Sequence, residues 1–339
     1  MSQGHRRNLR KDSVDMSSAP LVSIVVPVFN GARFLQECLE SALTQDHAAL
    51  EVVVLDNAST DATGAIAGAL ARRDARVRLF RNPATLGPIA NWNRAMTLMS
   101  GEARYCRVLH ADDALYPGSL AALVALAESD RRIGIVGSLR RRGERLECAG
   151  LPTDRAVFDG RDVARLFLRR QVFALAPTSG LLRAELVRAR QPFYPPHLLH
   201  ADLAAWLDIL DGVKFGFVHQ VLAFSRVHED SITATLAERR QTLMREWLTL
   251  LRDYGPRYFA AAELARLERQ HLARCHRLLL RGLASGSGRD FLAFHLEGLR
   301  QAGRAPTPLD YARAAVAELG QALRQPQKLV KHWHRPHPR

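Results

Sequence analysis

The sequence predicts an α/β protein with a mixed, mostly parallel sheet flanked by helices, followed by a C-terminal helical extension. Short apolar runs rich in β-branched residues alternate with segments of helical spacing over the first half of the chain. Polar residues cluster where several of those runs end, the place where parallel sheets bind ligands. From about Leu236 strand signals stop and Arg-rich helical segments take over.

Each element follows from its residues. Val22 to Val28 is a β-branched run closed by Asn30-Gly31, and reads as a buried strand ending in a turn. Phe34, Leu35, Leu39, Ala42 and Leu43 keep helical spacing between Arg33 and Thr44. Leu50 to Leu55 is a second buried strand stopping at Asp56-Asn57, and Ser59 to Arg73 a helix with Ser59 or Thr60 as N-cap. Val77 to Phe80 is a strand, Asn91 to Met99 a helix, and Tyr105 to Leu109 a strand running into His110-Ala-Asp-Asp113. A helix to Ser129 and a strand Ile133 to Val136 continue the alternation, and Arg140 to Arg145 reads as an exposed loop or hairpin. A helix from Arg161 to Arg170 carries Asp159 as N-cap, a loop covers 176–180, Leu203 to Leu210 is a short helix, and Phe215 to Arg226 is strand-like. The expected organisation is a basic, disordered N-terminus (1–19), one α/β domain (20–235) and a helical region (236–339) ending in a basic tail.

The chain of 339 residues has 48 Lys+Arg against 34 Asp+Glu, a formal net charge of +14. That excess suits anionic lipid headgroups or phosphate-bearing substrates. The arginines are spread along the chain without an RNP, zinc-finger or basic-zipper pattern, so no nucleic-acid partner is expected. Four widely spaced cysteines form no CxxC or Cys/His cluster, which argues against a zinc site or disulfide framework and for a reducing compartment. Residues 1–19 lack the apolar segment of a secretory signal, and no apolar run approaches the roughly 18–20 residues of a membrane span. The expected location is cytoplasmic, peripheral to the inner face of the cell membrane. The tail carries Lys328, Lys331 and Trp333, so it either lies on an anionic membrane or is a solvated end to a packed helix.

Asp112-Asp113 is the first candidate for chemistry. Adjacent carboxylates after an apolar strand repel, and a hard divalent cation relieves that repulsion while bridging to a diphosphate. The alternative is a helix cap or a solvated turn. Asp56 either accepts hydrogen bonds from a nucleobase or ribose, or caps the next helix; Phe29 either stacks on a base or packs in the core. No GxGxxG follows the first strand and no GxxxxGK[ST] occurs, which argues against dinucleotide oxidoreductases and P-loop enzymes. It leaves a metal as the neutraliser of any diphosphate charge.

Ser23 to Gly31, Val54 to Asp61 and Leu109 to Asp113, in this order and spacing, resemble the family-2 glycosyltransferases of GT-A fold over roughly residues 21–235. Asn91 to Arg94, Pro177 to Gly180 and Ser225-Arg-Val-His228 are further matches. The resemblance implies an inverting, metal-dependent, non-processive transferase acting from a nucleotide-sugar, UDP-linked by default, on a saccharide or lipid-linked acceptor. It implies that Pro27, Phe29, Asp56 and Asn93 line the nucleoside pocket. Asp112 would touch the ribose, Asp113 would hold the Mn²⁺ or Mg²⁺ with His228 as a further contact, and Asp202 would be the catalytic base. The chain departs from the family at His110, where an acid is common, and at Ala201, where a glutamate usually precedes the base. Asp208 and Asp211 are nearby competitors for the base. The competing readings are a sugar nucleotidyltransferase, which should carry a Gly-rich loop that Pro27 to Phe34 does not supply, and a catalytically silent scaffold in envelope assembly.

Overall fold

The computed structural model describes residues 19–173, 175–229, 231, 240–286 and 288–324. The N-terminal segment through residue 18, the expected boundary near 235, and Lys328, Lys331 and Trp333 lie outside these described residues.

Strands and helices alternate as β1 (Val22–Val28), α1 (Leu35–Leu43), β2 (Leu50–Asp56), α2 (Thr63–Arg73), β3 (Val77–Arg81), α3 (Pro88–Thr97) and β4 (Tyr105–Val108). Next come β5 (Ala114–Leu115), α4 (Ser119–Ser129), β6 (Ile133–Arg142), β7 (Arg145–Glu147), β8 (Val157–Asp159) and α5 (Gly160–Leu168). A single 3₁₀ turn, Pro177–Ser179, precedes β9 (Leu181–Arg183), α6 (Ala184–Arg188), α7 (Ala201–Leu210) and β10 (Lys214–Ser225). The extension is α8 (Thr242–Tyr258), α9 (Ala261–Ala284), α10 (Arg289–Gln301) and α11 (Pro308–Arg324).

The sheet runs β3-β2-β1-β4-β9-β6-β10-β5, with β7 on β6 and β8 on β10. β1 to β4 are parallel, β9 is antiparallel to both β4 and β6, and β10 is parallel to β6. Because β9 reverses direction between two upward strands, the carboxyl ends of β1, β2, β4, β6 and β10 share one edge. The central strands β1 and β2 are buried along their whole length, which is why they read as unbroken apolar runs. Their side chains alternate between two cores. Val25 and Leu55 face α3, α5, α7 and α8, while Ile24, Val26, Val52 and Val54 face α1, α2 and α4.

Two expectations are corrected. The second helix begins at Thr63 rather than Ser59, and no side chain caps it. Ser59, Thr60 and Asp61 instead bond across to the loop after β1: Asn30 N–H donates to Ser59 Oγ (2.9 Å), Thr60 N–H to Asn30 Oδ1 (2.9 Å) and Ala32 N–H to Asp61 Oδ2 (3.0 Å). The strand from Ile133 runs on to Arg142, because β10 pairs with it in parallel over that length. The basic stretch is its hairpin with β7, turning at Gly143 with φ of +53°. The N-cap at Asp159 is present, its carboxylate accepting from Arg161 and Asp162 N–H.

The helical region keeps a small cluster of its own, Leu248, Cys275, Leu279 and Leu299, and also shares a core with the sheet domain. Trp247, Leu250, Leu251, Tyr254 and Tyr258 of α8 are buried in the same cluster as α5 and α7. At the junction, His271 of α9 is buried. Its Nε2–H donates to Met244 O (2.9 Å), and its Nδ1 accepts from Arg170 Nη2 (3.2 Å), whose guanidinium stacks on Trp247. Those partners require the neutral imidazole. Burial, reinforced by the charges of Arg170 and Arg274, pushes its pKa down from 6.5 to about 3. The unfolded chain therefore binds a proton below 6.5 that the folded protein refuses, and stability falls as pH drops through that window. Wild type should lose about 2 kcal/mol more stability between about pH 8 and about pH 5 than His271→Gln, measured by denaturant unfolding at each pH.

Candidate active site

The loops after β1, β2, β4 and β10 meet at the shared strand edge. Asp113 is only 4% exposed. Its Oδ2 accepts from Thr178 Oγ1 (2.5 Å) and Ser225 Oγ (2.9 Å), and its Oδ1 from the Arg226 N–H (3.1 Å). A carboxylate has about four lone-pair sites, so one on Oδ1 is left. Burial pushes the Asp113 carboxyl above its usual range, and the Asp112 charge adds to this; His110 and the two hydroxyls oppose it. Beneath it Arg107 is fully buried, donating to Thr178 O from Nε (3.2 Å) and Nη2 (2.9 Å), and from Nη1 to Ser119 Oγ (2.8 Å). Burial lowers its pKa to about 9.

Asp112 points the other way and is partly open. Its Oδ2 is 2.9 Å from His228 Nε2, and Arg226 Nε donates to its backbone oxygen (3.2 Å). Arg226 also reaches Glu37 and lies over the Phe34 ring, against which His228 tilts. His110, Asp112 and Asp113 each offer an atom within 4.8 Å of the others. Two buried imidazole nitrogens here, His110 Nε2 and His228 Nδ1, have no partner among the described residues. Two carboxylates and orphaned nitrogens fit a divalent cation that accepts oxygen and imidazole donors.

The other predicted residues divide. Phe29 stands half exposed at the end of β1, free to stack, while Pro27 is buried in the strand. Asp56 reaches the same edge but is 1% exposed. Its Oδ1 accepts from Ser59 N–H (2.9 Å) and its Oδ2 pairs with Arg81, so Arg81 is the group facing solvent. Asn93 is not presented to the pocket, because its amide makes two bonds to the backbone of Tyr194, at 2.8 and 2.7 Å. Those bonds bring Tyr194 edge-on to Trp92, which in turn stacks on His110 at 5.4 Å.

Asp202 lies in the first turn of α7, where the helix dipole favours a carboxylate. It has no hydrogen-bond or ion-pair partner among the described residues, and its charge contributes to the raised pKa of buried Tyr194, after burial itself. Its competitors are engaged: Asp208 by Arg190 and Arg257, Asp211 by Arg161. The start of α7 is held from the extension, where Glu246 of α8 accepts the N–H groups of Leu199 and His200, each at 2.9 Å.

The sequence pattern gives Thr178, Ser225 and Arg226 no individual role, although the segments Pro177 to Gly180 and Ser225 to His228 carry part of the resemblance. Thr178 lies in a 3₁₀ turn and Ser225 at the last position of β10, so neither had a local signal beyond its hydroxyl. The pattern also gives no sign of the buried amide network in which Asn82 donates to Asn57 (2.7 Å) and Asn91 (2.9 Å), tying the β2, β3 and α3 ends together.

This strand order, with its polar edge, is the GT-A arrangement. The structure of Staphylococcus aureus TarS 1-349 in complex with UDP-GlcNAc superposes with a TM-score of 0.62 over 84% of this chain and 82% of that one, at 16% identity. The Pyrobaculum calidifontis mannosyltransferase PcManGT, in complex with GDP-Man and Mn²⁺, gives 0.55 over 93% and 84%, at 20% identity. Residues 23–187 match the family model described as "Glycosyl transferase family 2". Among curated sequences the chain is 26% identical over 227 residues to the Escherichia coli (strain K12) "Uncharacterized glycosyltransferase YibD", 64% of each chain. The match spans 64% of the length of that relative and 38% of glycosyltransferase GlyG of Streptococcus pneumoniae.

The two carboxylates should respond differently to truncation. Asp113→Ala strands two hydroxyls and an N–H and should cost at least about 2 kcal/mol of stability, while Asp112→Ala should cost under about 1 kcal/mol. Denaturant titration of both variants measures the difference.

Proposed function

We propose that the protein is a glycosyltransferase that moves a sugar from a nucleotide-diphosphate sugar to a hydroxyl acceptor with inversion, Asp202 acting as the base. The observation that carries this reading is the isolation of Asp202: it alone among the three acids of the α7 region is free of an arginine. Its charge acts on Tyr194, the far end of the Tyr194-Trp92-His110 aromatic group that leads to the carboxylate pair. A free carboxylate in that position accepts the proton of the acceptor hydroxyl as it attacks the anomeric carbon.

Phe29 supplies a stacking face for the base, and Arg81, neutralised by Asp56 from behind, a donor beside it. A divalent cation, Mn²⁺ or Mg²⁺, would be held by the outward oxygen of Asp112, the remaining lone pair of Asp113 and His110. Bound there, it supplies positive charge for the leaving diphosphate. His228 fixes the Asp112 carboxylate from the opposite side. Support for a nucleotide-sugar donor and for Mn²⁺ comes from the UDP-GlcNAc and GDP-Man complexes of the two similar structures. UDP is the first donor nucleotide to test. The acceptor class we favour is a saccharide or lipid-linked glycan at an anionic membrane surface, which suits the net charge of +14. The helical region from 236 then acts with the 20–235 domain as one unit, through Glu246.

Asp202→Asn should lower sugar transfer by about 10²–10⁴-fold and leave UDP binding by calorimetry unchanged. Full activity in that variant would refute the assignment. UDP binding by wild type should tighten on adding Mn²⁺, and Asp112→Asn should remove that response; a chain whose binding ignores the metal is the silent scaffold instead.

A further inference from the structure

Ten large apolar side chains are exposed among the described residues, and four of them sit on α11: Leu309 (56%), Val316 (69%), Leu319 (65%) and Leu323 (84%). Their spacing of seven, three and four residues puts them on one helical face. The opposite face is occupied. Ala314 is buried, Tyr311 packs on the cluster of Leu248, Cys275, Leu279 and Leu299, and Glu318 is bridged by Arg281. Asp310 faces His276 at 3.8 Å. Both acids of the helix are therefore engaged by α9, and the outward stripe is bordered by exposed Arg313. The sequence beyond it, residues 325–339, holds Lys328, Lys331, Arg335 and Arg339 with no Asp or Glu, and includes Trp333.

We propose that the outward face of α11 docks on an anionic lipid surface, with Leu309, Val316, Leu319 and Leu323 entering the headgroup-acyl boundary and the flanking cations meeting lipid phosphates. Among the described residues, no helix is long and apolar enough to cross a membrane, so this contact lies in the interface plane. Charge selects the occupant. A second copy meeting this face would bring its own Arg313 and cationic continuation against like charge, whereas an anionic leaflet attracts both. Docking through α11 would place the transfer reaction beside a lipid-linked acceptor, and to that extent it rests on the reading above; vesicle binding is measured without any transfer.

The test is co-sedimentation of the full chain with phosphatidylcholine vesicles, plain or containing about 30% phosphatidylglycerol. Binding should be at least about tenfold stronger to the anionic vesicles, and Val316→Glu, Leu319→Glu and Leu323→Glu together should weaken it at least about tenfold. The melting temperature should stay unchanged, since all three side chains are exposed. Wild-type binding by the triple variant would overturn the proposal. So would a wild-type dimer in light scattering that the variant abolishes while neither protein binds vesicles.

Discussion

The buried carboxylate of Asp113 is the constraint on which the rest of the site depends. An ionised acid at this depth is tolerated only where donors converge on it, and here they come from segments 65 and 112 residues away in sequence. Thr178 arrives on the 3₁₀ turn before the reversed strand β9, and Ser225 at the end of β10. The carboxylate thus fastens the end of β4 to the far half of the sheet. Arg107, held by the Thr178 carbonyl and the Ser119 hydroxyl, sets Thr178 from below. Inward fixation of one acid is what turns its neighbour Asp112 outward.

The fold was legible where burial is symmetrical. β1 and β2 are covered on both faces, so their apolar runs announced both their existence and their ends. Legibility failed where a local signal had a distant partner. Ser59 and Thr60 are good caps by type, but the loop after β1 had prior use of them, and a capping rule based on neighbours cannot detect a residue 30 positions away. Likewise β6 outran its apolar core because β10, far along the chain, pairs with its basic half.

The candidate site was legible to the level of loops and less so to the level of atoms. His228 meets the Asp112-Asp113 turn directly, while Asp202 connects to it only through Tyr194, Trp92 and His110. Adjacent residues at a strand end point in opposite directions, however, and composition cannot tell which of two identical carboxylates faces inward. Asn93 shows the same limit from the other side: an amide near a binding loop is as well suited to holding backbone as to meeting a ligand, and here it does the former. The nitrogens of His110 and His228 that lack a partner among the described residues had no sequence signature, since the rings packed on them, Trp92 and Phe34, come from distant segments.

Glu246 gives the extension a meaning that its sequence did not suggest. Its carboxylate holds the backbone leading into the helix that carries Asp202, so the extension sets where that helix begins. A replacement of α8 that loses Glu246 would break this clamp and leave the free acid on an unanchored turn, whereas any non-proline residues at 199 and 200 keep its donors. What an exchange of α7 must respect is the side-chain contact beside the clamp, and the covariation to look for among natural relatives lies between positions 200 and 242, where His200 Nε2 meets Thr242 Oγ1 at 3.0 Å.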